Sequence, residues 1–159
     1  MSELFNWLLS LQEELEWLEF KVNNNDPNRI GEYISSLSNS AAYHGKPFGY
    51  LIWGIENSTL NRIGTTVDPL KLKVGNESLE NWLIRKVSPR IQIKFHRYYE
   101  EGKSFVILEI PSVRNMPTSF DDSEYIRIGP HNQKLKDYTA DGLTNFMRVG
   151  AKRASSRLR

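Results

Sequence analysis

Residues 50 to 55 read YLIWGI, an unbroken apolar run between the loop YHGKPFG and the turn Glu56-Asn57-Ser58. Successive side chains of a strand point to opposite faces, so a strand with no polar position along it is buried on both. The run therefore predicts a central strand with a packed layer on either side. A chain of 159 residues suffices for one such domain; at that length roughly 70% of the unfolded surface is buried on folding. The remaining elements must supply the neighbouring strands and the two covering layers.

A second stretch, LEFKV, alternates: Leu18, Phe20 and Val22 point one way, Glu19 and Lys21 the other. It reads as a strand with either a solvated polar face or a polar site facing a phosphate or a metal ion. Upstream, Leu4, Leu8, Leu11, Leu15 and Leu18 recur at helical spacing, predicting a first helix that ends near Glu14 or Leu15. NNNDPNR is a turn cluster with Pro27 suited to a first helical turn. A helix over about 28–42 follows, with Ile30, Tyr33, Ile34, Leu37 and Ala41 on one side. After the apolar strand, NRIGTT is expected to return beside it, and NESLENWLIRKV predicts a helix over 76–87. RIQIKFHRYY alternates, placing Ile91, Ile93 and Phe95 inward and Arg90, Gln92, Lys94, His96 and Tyr98 opposite. Glu-Glu-Gly-Lys turns it into SFVILEIP as a hairpin. EYIRIG is a shorter strand with Tyr125 and Arg127 on one face, and a weaker helix over 139–149 precedes the C-terminal tail. The expected fold class is α+β, a mixed, largely antiparallel sheet flanked by helices, with one domain over 1–138 and a helix and basic tail over 139–159.

Several function classes drop out. Cysteine is absent, which excludes disulfides, thiolate zinc sites and cysteine nucleophiles. Any metal would rest on oxygen or histidine ligands, with magnesium or manganese first. No apolar run approaches the 18 residues of a membrane span, and no signal-peptide start is visible, so a cytoplasmic protein with no membrane partner is expected. Gly102-Lys103-Ser104 resembles the end of a phosphate-binding loop, but position 97 is arginine where that loop needs glycine. His44, His96 and His131 lack metal-ligand spacing, and no serine sits in a GxSxG turn. The net charge is +2, yet Arg148, Lys152, Arg153, Arg157 and Arg159 place +5 in the tail and leave the body at −3. Such a tail suits a polyanion, or is simply a solvated end.

Three polar features remain. Glu14, Glu19 and Lys21 cluster around the start of one strand, Glu56 ends the apolar strand, and Arg90, Lys94 and His96 form a basic face interleaved with Tyr98. Carboxylates brought together would hold a divalent cation able to activate water and neutralise charge on a phosphodiester. Lys21 would reach the same phosphate from about 7 Å along the strand. The basic face would supply a sequence-independent grip. Ion-paired surface acids are the plain alternative.

ELEWLEFK resembles the E-x4-E-F-K segment that opens the Schlafen core, the AlbA-like domain of bacterial regulators and animal Schlafens. GEYISSLSNSAA followed by GYLIWGIEN, then GNESLENWLIRKVSPRI and EYIRIGPHNQKLKDY, are similar to later family segments, so the likeness runs from about residue 12 to 138. Beyond Tyr138 it ends, where larger relatives continue into regulatory domains; a fragment and a stand-alone version both fit. The resemblance implies nucleic-acid binding. In animal members it further implies a metal-dependent site of three acids that cleaves tRNA-like RNA. Two of those acids fall on Glu14 and Glu19, and the third at the turn Glu56-Asn57, where Asn57 stands at the second position and offers only a neutral oxygen. No residues support the family's association with ATP.

The leading expectation is thus a nucleic-acid-binding domain, RNA favoured over DNA, with Lys21, Arg90, Lys94, His96 and Arg127 on the ligand. A metal-dependent endoribonuclease would add Glu14, Glu19 and Glu56 as magnesium or manganese ligands and Lys21 on the phosphate. The alternatives are a non-catalytic DNA-binding regulator and a protein-interaction module whose amphipathic first helix binds another chain or a second copy.

Overall fold

The computed structural model describes residues 2–11 and 15–138. The apolar run forms β2 (Phe48–Trp53), and it is central as its composition demands. On one side lies β1 (Leu18–Lys21), parallel to it, and on the other β7 (Lys103–Pro111), antiparallel, followed by β6 (Lys94–Glu100) at the far edge. Parallel neighbours need a crossover, and α2 (Pro27–Tyr43) supplies it, so β1, α2 and β2 form a βαβ unit. Asp26 caps α2, its side chain accepting a hydrogen bond from the Asn28 backbone N–H, with Pro27 in the first turn. The β6–β7 hairpin turns on Glu101 and Gly102, both at positive φ (49° and 74°), the backbone of a two-residue primed turn.

The register settles which side chains share a face. Leu18, Tyr50, Glu109 and Lys94 form one row across the sheet, and Phe20, Ile52, Ile107 and His96 a second row on the same face. That face packs Phe5 and Leu8 of α1 (Ser2–Ser10). The intervening rows, Glu19-Leu51-Leu108-Phe95 and Lys21-Trp53-Val106-Arg97, lie on the other face. There Leu51, Trp53, Val106 and Leu108 meet Ile30, Tyr33, Ile34 and Leu37 of α2.

Beyond β2 the chain makes a short hairpin of β3 (Lys73–Val74) and β4 (Glu77–Ser78), then α3 (Leu79–Lys86), capped by the Ser78 hydroxyl. A second, antiparallel sheet follows in the order β10-β9-β8-β5, from β5 (Val87–Ser88), β8 (Ser119–Phe120), β9 (Ser123–Ile128) and β10 (His131–Lys134), and α4 (Leu135–Tyr138) ends the described chain. This sheet packs on the side of α2 turned away from β2, which is why 12 of the 17 residues of α2 are buried. Phe120 of β8 packs its ring on Gly31 of α2, while the contact with β9 is polar. Beyond its short pairing with β8, one edge of β9 is completed by helix side chains. The Ser35 and Ser40 hydroxyls accept from the N–H groups of Tyr125 (2.9 Å) and Arg127 (3.0 Å), and Asn39 Nδ2 donates to the Tyr125 carbonyl (2.7 Å). Asn39 also exchanges two bonds with the backbone of Thr118, at 2.9 and 2.7 Å.

The α+β class and the mixed, largely antiparallel sheet are as expected from the sequence. Several boundaries differ. The first helix stops at Ser10, short of Glu14. The helix expected over 76–87 begins only at Leu79, because Val74 and Glu77 pair as a hairpin. NRIGTT returns not as a strand but just past the end of β2, through an isolated bridge between Ile55 and Arg62, the Glu56 N–H on the Asn61 carbonyl, and the N–H groups of Ile63 and Gly64 on the Gly54 carbonyl. Among the described residues no helix is long and apolar enough to cross a membrane. The helix expected over 139–149 and the basic tail lie outside the described residues.

Candidate nucleic-acid interface

Glu19 and Lys21 occupy the two polar positions of β1, and the parallel pairing turns both toward α2. Their face is therefore enclosed, and Glu19 is only 2% exposed. Its two oxygens are held separately: Oε1 lies 3.0 Å from Lys21 Nζ, and Oε2 contacts Nη1 of Arg127, itself 1% exposed. Arg127 comes from β9, its backbone fixed by Ser40, and so reaches Glu19 across the end of α2. The Lys21 side chain keeps 28% of its surface open, and its ammonium lies 5.5 Å from the centre of the Tyr33 ring. The Arg29 guanidinium, in the first turn of α2, lies 5.7 Å from the same ring and is paired with Glu32 at 3.2 Å. Lys21 and Arg29 thus flank one buried tyrosine at the C-terminal end of β1, a pair of reachable cations backed by aromatic surface.

The other residues singled out by sequence do not join them. Arg90 is exposed in the segment before β6, because that strand begins at Lys94 and not at Arg90. Lys94 and His96 are on β6 but on the α1 face, the opposite side of the sheet from Lys21 and three strands away, roughly 14 Å at ordinary strand spacing. His96 Nε2 lies 3.5 Å from Glu109 Oε2, and Tyr98 packs its ring 4.5 Å from that of Phe5, in the core and not on a ligand face. Arg127 is buried on Glu19, so it offers no surface to a ligand. Two cations outside the expected set, Arg29 and Arg97, do share the face of Lys21; Arg97 ends the Lys21 row and is bound to Asp68 at 2.6 Å. The Arg97 guanidinium, by its hydrogen bond, holds the Asp68 carboxyl below its usual range.

The implied metal fares worse. Glu56 follows β2 and its carboxylate accepts the Thr59 hydroxyl within its own turn, while Asn57 is exposed beside it. Glu14 lies outside the described residues. Among the described residues no three histidine, aspartate or glutamate side chains converge so as to share an ion. With both oxygens of Glu19 already on cations, the described donors do not fit a divalent metal.

A family model described as Schlafen, AlbA_2 matches residues 14–136. No curated protein matches the chain. Among solved structures, the crystal structure of the DIP2311 protein from Corynebacterium diphtheriae is similar at 16% identity and a TM-score of 0.49, over 75% of this chain and 22% of that one. The solution structure of the N-terminal domain of an ATP-dependent DNA helicase RecG-related protein from Nitrosomonas europaea is similar at 18% identity and a TM-score of 0.43, over 80% of this chain and 90% of that one. The chain thus spans about a fifth (22%) of the length of the first of these proteins.

Proposed function

The chain belongs to the Schlafen, AlbA_2 family, and from that footing we propose that it is a nucleic-acid-binding domain that grips the phosphate backbone. The observation that carries this reading is the Lys21 side chain, 28% exposed, its ammonium on a buried carboxylate and flanked by Arg29 across Tyr33. A lysine serves here as a point charge that reads phosphate without reading sequence. Recognition by backbone and shape suits A-form RNA, whose deep groove hides base identity, so structured RNA is favoured over DNA. The test is fluorescence anisotropy with a tRNA-like hairpin and a DNA duplex between 50 and 200 mM salt. Each phosphate contact adds about 0.9 to the logarithmic salt slope on duplex. Affinity that ignores salt, or no affinity for either ligand, removes the reading.

Metal-dependent cleavage of tRNA-like RNA through Glu14, Glu19 and Glu56, with Lys21 on the phosphate, is a second reading. It draws on the family correspondence at Glu14 and Glu19, while the closed environment of Glu19 and the self-contained turn of Glu56 argue against it. Hairpin cleavage that stops in EDTA and with Glu19→Gln would put cleavage first. A protein-interaction module is favoured by one feature, Trp7 of α1, which is 46% exposed. A sizing column run with and without RNA separates it, since a pure interaction module, as partner or homodimer, changes mass without nucleic acid.

A further inference from the structure

We propose that Glu19 is a positioning residue, a buried counter-ion that fixes Arg127 and aims Lys21, and not a donor to a divalent ion; the affinity part of the proposal rests on the nucleic-acid-binding reading above. Two nearly inaccessible, opposite charges meet at this point, 2% and 1% exposed. Each loses its hydration on folding, and only a close partner of opposite sign offsets that loss. The Arg127 backbone is anchored, Ser40 Oγ accepting its N–H at 3.0 Å and lying 3.4 Å from its carbonyl oxygen, and its side chain is 1% exposed. Its guanidinium is therefore delivered to Glu19 by the strand–helix seam. Lys21, two residues along the same face of β1, takes the other oxygen at 3.0 Å and keeps its open side toward solvent. A magnesium ion at Glu19 would need an oxygen at about 2.0–2.1 Å. It would then stand beside the Arg127 guanidinium, a like-charge contact at a nearly inaccessible carboxylate.

The Glu19–Arg127 pair makes a prediction about charge. Arg127→Gln removes one positive charge behind Lys21, Glu19→Gln removes one negative charge, and the double variant restores the balance. Neither side chain is accessible enough to touch the ligand. Affinity for an RNA hairpin and its salt slope are measured for the wild type, both single variants and the double variant, in EDTA and again with magnesium. Urea unfolding is followed on the same four proteins. Arg127→Gln should weaken binding about 3- to 10-fold and lower the slope by somewhat under 0.9, and the double variant should return to within about 2-fold of wild type. Each single change should lower the urea midpoint by about 1 M or more, and the double variant should recover most of that loss. Single variants too unstable to purify beside a folded double variant support the counter-ion role equally.

Three results overturn the proposal. One is additive losses in the unfolding series. Another is a double variant that binds as poorly as Arg127→Gln. The third is magnesium or manganese that raises the melting temperature of the wild type but not of Glu19→Gln, a comparison that needs no nucleic acid. If the wild type binds no RNA or DNA while the unfolding losses cancel in the double variant, the binding reading falls and the counter-ion role of Glu19 stands.

Discussion

Replacing Asn39 by alanine isolates the polar seam that ties the two sheets together. The Asn39 amide bonds the Thr118 carbonyl (2.9 Å), the Tyr125 carbonyl (2.7 Å) and the Thr118 N–H (2.7 Å), in a position 1% exposed. Alanine leaves those three main-chain groups without this partner in a place with little room for water. An orphaned buried polar group costs roughly 1–3 kcal/mol, and a carbonyl with a second lone pair in use falls at the lower end. The sum, with the small void left by the amide, is about 3–5 kcal/mol, or ~10–15 °C in melting temperature for a domain of this size. Urea unfolding followed by tryptophan fluorescence reads it, with Asn57→Ala as the control. Asn57 is exposed and carries no hydrogen bond among the described residues, so its loss should stay within about 0.5 kcal/mol. Asn39→Asp should be at least as damaging as Asn39→Ala, since an oxygen would face two carbonyls where the amide nitrogen donated. A loss below about 1 kcal/mol for Asn39→Ala would refute the view that helix side chains stand in for a neighbouring strand of β9.

Two further perturbations probe the packing around the same helix and the opposite sheet face. A methyl group at Gly31 would lie 2.2–2.4 Å from the ring of buried Phe120, so Gly31→Ala should destabilise by about 1–2 kcal/mol despite its better helix propensity, and Phe120→Leu should relieve part of the loss; a net gain in an unfolding titration contradicts the contact. Burial, and secondarily the charge of Glu109, pushes the Tyr50 hydroxyl up to about 12. Its unfolded value is lower, so its contribution is complete below about pH 10 and is lost as pH rises toward 12. Ultraviolet titration should show one phenol ionising late, and Tyr50→Phe should flatten the alkaline fall in stability; an unchanged fall refutes the assignment.

How far the sequence could be read depended on how many layers each element touches. The apolar run of β2 declared its own central position, and the LEFKV alternation correctly paired Glu19 with Lys21 and opposed both to Leu18 and Phe20. What alternation could not say is which face is outside. Both faces of this sheet are covered at β1, so the charged face is an interior one, and Glu19 is buried where a solvated strand face was the plain expectation. The same ambiguity left open which side of the sheet the basic face shares with Lys21. Phe95 points inward toward α2 and Tyr98 inward toward α1, so Lys94 and His96 share a side with Tyr98 and are cut off from Lys21. The serines and Asn39 of α2 read as the polar, outer side of an amphipathic helix. They are buried because a second sheet satisfies them through its backbone, and such a partner leaves no apolar periodicity behind. Arg127 carried a hint of its role in its sequence, since a lone arginine within the apolar strand pattern EYIRIG needs an acid to be buried with. Glu19 is that acid.

The most direct test of the account is a comparison of salt slopes for RNA binding by the wild type, Lys21→Gln and Lys94→Gln. The two lysines lie on opposite faces of one sheet; Lys94 is exposed, and Lys21→Gln takes one cation from Glu19 but leaves it paired with Arg127, so urea unfolding of each variant is read beside its binding. If the phosphate grip lies beside Tyr33, Lys21→Gln should lower the slope by up to about 0.9 and weaken binding at about 50 mM salt, while Lys94→Gln leaves both unchanged. Equal slopes for the wild type and Lys21→Gln, with the loss appearing instead in Lys94→Gln, would place the ligand on the other side of the molecule and contradict a grip beside Tyr33.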